Sequence, residues 1–162
     1  MIEVIDVDAG LTSLGNADCA IAMKFNYVFG LKGNQAELFE EAQKLLLPLC
    51  TTTQPEVETP WEFRNGKRIR RRLWRTAEMV GFENSVGKWK HLRQTWLVRQ
   101  ETRADGKTEI EDRFFITSLP WDTLSPAQIL LLVRNHWAVE SAPQAHRRKE
   151  SEDDLINCAQ AA

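Results

Sequence analysis

The polar, twice proline-punctuated stretch TTTQPEVETP, residues 51–60, divides this chain into two regimes of hydrophobic period. Before it, EVIDVDAG reads as a short strand rich in β-branched residues and ended by Gly10. NADCAIAMK follows with Ala17, Ala20, Ile21 and Lys24 at helical spacing, and Ser13 or Asn16 can cap it. YVFGLKG is a second apolar strand. NQAELFEEAQKLLLPL is an amphipathic helix with Asn34 as expected N-cap, Glu37 completing a capping box and Pro48 ending it. Strand, helix, strand, helix with short joints is the pattern of a covered α/β sheet with a right-handed crossover.

Beyond residue 60 the period shortens. GKRIRRRLWRT, HLRQTWLVRQETR and TEIEDRFFITSL alternate or run rich in β-formers, and ADGK between the last two carries an Asp-Gly hairpin signal. PWDTLSPAQILLLVRNHWAVE then returns to helix, with Ser125 as N-cap, Pro126 at the first helical position, and Ile129, Leu132, Val133, Trp137 and Glu140 along it. The expected organisation is a half-core over residues 1–50, a linker over 51–60, a basic β-rich insertion over 61–118 and a core helix over 119–140. A polar, charge-clustered tail over 141–162 is expected to be loosely ordered.

With 162 residues the chain fits one domain, and it contains no run of eighteen apolar residues that would span a membrane. Its first residues lack a signal peptide's basic and apolar regions. Cys19, Cys50 and Cys158, far apart and odd in number, fit thiols of a reducing cytoplasm better than a zinc site. The net charge of −2 hides a steep pattern. Residues 1–59 carry three Lys/Arg against nine Asp/Glu, residues 60–99 eleven against three, and residues 100–162 seven against eleven. A basic middle between acidic ends points to a polyanionic partner, DNA in the first instance.

That basic charge is concentrated in RNGKRIRRRLWR: Arg64, Lys67, Arg68, Arg70, Arg71, Arg72 and Arg75. On a strand, Arg68, Arg70 and Arg72 share one face and can follow phosphates, which position a nucleic acid without reading it. Trp74, Trp89 and Trp96 lie nearby and either stack on an unpaired base or fill the core. A solvated edge strand guarded against aggregation is the competing reading of the arginines.

Two aspartates in the opening strand need a reason. Asp8 falls at its carboxyl end, where α/β sheets place ligands, and Asp6 shares its face one step deeper. Carboxylates gathered from several elements require a divalent cation, and Mg²⁺ suits hard oxygens. Asp8 capping the next turn is the plain alternative. Glu140, one turn after His136 and Trp137, is the next acid candidate; a solvent-facing Glu is its plain alternative.

The succession DAGLTSLGNA, YVFGLKGNQAEL, RFFITSLP and LSPAQILLLVRNHWAVE resembles the DDE transposases of bacterial insertion sequences, in particular the H-repeat-associated group. The resemblance runs from about residue 4 to residue 140. It implies an α/β, ribonuclease H-like fold carrying an antiparallel β-rich insertion. It also implies Mg²⁺-dependent DNA cleavage and strand transfer in DNA transposition and recombination, with Asp8 and Glu140 as catalytic metal ligands. Arg64, Lys67, Arg68, Arg70, Arg72, Arg75 and His136 are the expected DNA-binding residues.

The family's first acid lies on a strand upstream of the Asp8 strand, where this chain begins, so a partial core, inactive alone, is the expectation. After Glu140 the sequence departs from the family pattern. Missing neighbours would leave the opening strand as a bare edge, and homodimerisation through it is a further expectation.

Overall fold

The structure, a computed structural model, describes residues 2–140, with side chains through Asn135. The expected tail, 141–162, lies outside the described residues. The chain is a mixed α/β protein. In chain order it forms β1 (Val4–Val7), α1 (Leu14–Ala22), β2 (Asn26–Leu31), α2 (Ala36–Leu46), α3 (Leu49–Thr52), β3 (Val57–Glu58) and β4 (Glu62–Arg64). There follow β5 (Lys67–Thr76), β6 (Glu83–Asn84), β7 (Gly87–Lys88), β8 (Gln94–Ala104), β9 (Lys107–Thr117) and α4 (Pro126–Glu140).

Seven strands make one sheet in the order β1-β2-β9-β8-β5-β3, with β4 also paired to β5. β1 and β2 run parallel, Asp6 opposite Val28 and Val7 opposite Phe29. Every other pair in this sheet is antiparallel. β9 lies directly against β2, with Gly30 opposite Phe115, so the basic ribbon continues the sheet of the first half rather than forming a lobe of its own. Nor do residues 51–60 simply link two regions. They finish α3 and supply β3, whose Val57 and Glu58 pair with Leu73 and Arg72.

Alternation sorts the side chains onto two faces. On one, Tyr27, Phe29, Leu31, Trp74, Leu97, Phe114 and Ile116 pack with α1 and α2. Leu38, Ala42 and Leu46, four residues apart, form the buried stripe of α2. On the other, Val28, Leu73, Trp96, Val98 and Phe115 pack with Ile129, Leu130 and Val133 of α4. Trp74, Trp89 and Trp96 are all core residues. Each fully buried large side chain stabilises the fold by roughly 1.5–3 kcal/mol, so both faces carry substantial cores. No described helix is long and apolar enough to cross a membrane.

Turn and cap chemistry explains the boundaries. Asp105 and Gly106 have φ of 51° and 73°, as a two-residue type I′ hairpin requires between β8 and β9. Asn65 and Gly66, at 51° and 75°, do the same between β4 and β5, and Asn-Gly is the strongest sequence signal for such a turn. Ser13 caps α1, accepting from the Asn16 N–H at 3.1 Å. Lys24 does not extend that helix. It sits just past the end with φ 64°, its N–H on the Ile21 carbonyl and the Phe25 N–H on the Ala20 carbonyl, a Schellman motif.

Asn34 does not cap α2. A 3₁₀ turn over Gly33–Gln35 leads into the helix, and the Asn34 amide donates to the Ala9 carbonyl at 2.8 Å. Glu37 instead accepts from the N–H and hydroxyl of Ser85. Ser125 and Gln128 form a reciprocal capping box at the start of α4.

Candidate functional site

Asp8 follows β1 directly, at the carboxyl end of the first strand of the parallel β1–α1–β2 unit. Its backbone stays extended and the chain turns at once into a 3₁₀ turn over Ala9–Leu11. The Asp8 carboxylate makes no capping hydrogen bond to that turn, so capping does not explain it. It is half exposed, and its nearest charge is the Lys32 ammonium at 3.9 Å, carried past the end of β2.

The turn is set tightly against β2. The Thr12 hydroxyl donates to the Gly30 carbonyl, and a Cβ on Gly30 would lie 3.1 Å from the Ala9 nitrogen. Close approach is why glycine stands there. Asp6 lies one step deeper on the same face and is half-buried. Val4, on that face too, packs into the α4 cluster, so both acids belong to the α4 side of the sheet.

A cavity of about 170 Å³ opens beside Asp8, with Lys32, Phe39, Glu111 and Arg113 among its walls. Arg113 bonds Glu111 at 2.8 Å and Arg99 bonds Asp112 at 2.7 Å, so those two wall carboxylates are already held by arginines, while Asp8 has the Lys32 ammonium. Among the described residues no group of three metal-binding side chains comes together. A carboxylate with a lysine beside it, next to two others already paired with arginines, does not fit Mg²⁺, because the cation repels the ammonium and finds too few free oxygens. His136 and Glu140 fall in the last turn and a half of α4, and their side chains lie outside the described residues.

The arginine strand is differently arranged from the free row that alternation suggests. Arg68, Arg70 and Arg72 do share a face, but two of them are held by carboxylates from the acidic flanks. Arg70 bonds Glu101 at 2.7 Å and Glu58 at 3.3 Å, and Arg72 bonds Glu58 and reaches Glu101 at 3.5 Å. Arg103 joins the same Glu101 at 2.7 Å. Hydrogen bonds, from Arg70 first and then Arg103, hold the Glu101 carboxyl below its ordinary range against the opposing effect of burial.

Arg75 is pinned elsewhere. It bonds Glu56 at 2.7 Å and the Trp121 carbonyl at 3.0 Å, and it stacks 3.9 Å from the Trp121 ring. Its side chain is only 8% exposed, so it locks the loop before α4 rather than facing a ligand. Arg71 is buried on the α4 side; burial pulls its guanidinium down from the ordinary value, with Glu62 acting in the other direction. Arg64, Lys67 and Arg68, at the β4–β5 hairpin, are exposed.

Among the described cysteines, Cys50 is free, its thiol pushed up mainly by burial. Two features escaped the sequence. One is the use of Glu58 and Glu101, residues 43 apart, as counter-ions for one strand; the other is the exposed Phe63 beside Arg68. No family model matches this chain, and neither do any curated protein or solved structure.

Proposed function

We propose that this chain is a transposase-derived protein with a ribonuclease H-like core that binds DNA and does not cut it alone. One observation carries the reading. Asp8 stands at the carboxyl end of β1, whose Val4 packs on the sheet face that α4 covers, and α4 is the helix bearing Glu140. In the transposase resemblance these are the positions of two Mg²⁺-binding acids, and the Lys32 ammonium beside Asp8 does not suit a cation there. On this chain's own residues, Asp8 offers an accessible carboxylate whose nearest charge is the Lys32 ammonium at 3.9 Å.

The test is a nicking assay on supercoiled plasmid with Mg²⁺ or Mn²⁺, wild type beside Asp8→Ala. The expected result is salt-sensitive plasmid binding by both and cleavage by neither. Cleavage abolished by Asp8→Ala would overturn the inactive-alone reading, and absence of binding at low salt would overturn the DNA reading.

A second reading, a remnant that pairs with intact transposase or with its own copy, is favoured by β1. It is a terminal strand of the sheet, and among the described residues nothing pairs with its outer rim. Light scattering on purified protein checks this: a monomer across micromolar concentrations removes self-pairing.

A further inference from the structure

We infer that the far end of the ribbon is a stacking platform for single-stranded nucleic acid, centred on Phe63 and flanked by Arg68 and Arg103. The register sets these side chains in one row. Phe63 of β4 lies opposite Arg68 of β5, Arg68 opposite Arg103 of β8, and Arg103 opposite Thr108 of β9. Residues directly opposite point to the same face, and four strands span roughly 14 Å at the ~4.8 Å interstrand spacing. α1 and α2 cover this face of the sheet nearer β2, where the core lies.

Phe63 is 76% exposed, the most exposed large apolar side chain among the described residues, and it stands beside Arg68 rather than over the core. Isolated surface apolar residues are ordinary, but an exposed aromatic on a strand next to guanidinium groups is the arrangement that holds an unpaired base and its phosphates.

Charge points to a polyanion. In this part of the face four guanidinium groups, Arg68, Arg70, Arg72 and Arg103, stand against two carboxylates, Glu58 and Glu101. The surplus is two positive charges. Arg103 is pre-positioned: Glu101 holds it at 2.7 Å, and the Trp61 ring lies 4.5 Å from both its guanidinium and that of Arg70. Trp61 is thereby occupied between two cations, which leaves Phe63 as the open π-face. A double helix offers no base face to such a ring, so single strands are preferred.

The inference shares with the reading above only the class of ligand. It needs neither Asp8 nor a metal ion, and its failure is separately visible. The experiment uses the full chain and a fluorescein-labelled twelve-nucleotide oligothymidylate, with anisotropy read from 25 to 200 mM salt without divalent ions. Wild type is expected to bind the single strand more tightly than a duplex of equal length. Phe63→Ala should weaken it about tenfold, with Phe63→Tyr restoring affinity and circular dichroism unchanged in both. Arg68→Ala and Arg103→Ala should each lower the salt slope by about 0.7.

Equal affinity for duplex and single strand, or an unchanged affinity in Phe63→Ala, would overturn the platform while leaving salt-sensitive DNA binding intact. Loss of all binding in wild type would overturn both.

Discussion

The two ends of this one sheet are held together by different chemistry. Around β1, β2 and α1 the polar contacts are short side-chain bonds to backbone carbonyls. Thr12 reaches Gly30, Asn16 reaches Leu11, Asn34 reaches Ala9, Gln35 reaches Thr12 and Thr117 reaches Tyr27. At the outer end of β5, β8 and β9 the contacts are ion pairs: Arg70 and Arg72 with Glu58, Arg70 and Arg103 with Glu101, Arg99 with Asp112. Neutral bonds to backbone fix a turn against a strand whatever the salt. Ion pairs near the surface are screened and leave charge available to a ligand. The crossover end is therefore fixed by contacts that salt barely touches, and the ribbon end by contacts that salt weakens.

The largest test of that contrast asks whether the two ends unfold together. Trp96 lies at the waist, fully buried, its indole N–H donating to Gln94 at 3.0 Å. Trp96→Ala should cost about 3–5 kcal/mol. Because the sheet is continuous, denaturant titrations followed by tryptophan fluorescence and by far-ultraviolet circular dichroism should shift together. Two separated transitions would break the single-sheet description.

Next in size is Gly30→Ala, expected to destabilise by about 1–3 kcal/mol. The new methyl meets Ala9 in a turn already tied down by Asn34, so neither side can give easily. Thermal melting would register it, and a neutral outcome would mean the Asp8 turn is looser than its bonds imply.

Glu101→Gln belongs to the other end and should cost about 1–2 kcal/mol near neutral pH. The sign with pH follows from its carboxyl, which is held below the ordinary value of 4.5 in the folded state. Such a group lends stability above its unfolded pKa and loses it as pH falls through the folded one. Wild type should therefore lose this contribution below about pH 4.5, and the variant should have the shallower acid limb in stability measured from pH 3 to 7. Parallel limbs would remove Glu101 from the account. The smallest effect expected is Ser125→Ala, about 1 kcal/mol from the lost cap of α4, read by denaturant midpoint.

Much of this fold was legible because it is written in short-range signals. Gly10, Pro48, Asp105-Gly106 and Ser125-Pro126 mark boundaries through backbone chemistry, and alternation in RIRRRLWRT told which arginines share a face. What was not legible depends on residues far apart in the chain. No local pattern tells that Glu58 and Glu101 flank Arg70, or that the ribbon joins β2 through Gly30 and Phe115. Asn34 misled for a related reason: its cap-like position is real, but the Ala9 carbonyl, twenty-five residues earlier, is the partner its amide takes. The acid at the sheet end was legible as a position, Asp8, and the lysine beside it was not.

The unequal flanks of the sheet have one more consequence. One border is β1, four residues long and bare along its outer rim among the described residues; the other ends in two- and three-residue strands set between Pro55 and Pro60 and the hairpin at Asn65. Proline and short length make a poor template for another chain. Any growth by strand addition can begin from a single side only. Two molecules meeting there would each use up their one available border, and such an assembly stops at a closed pair instead of extending into a filament.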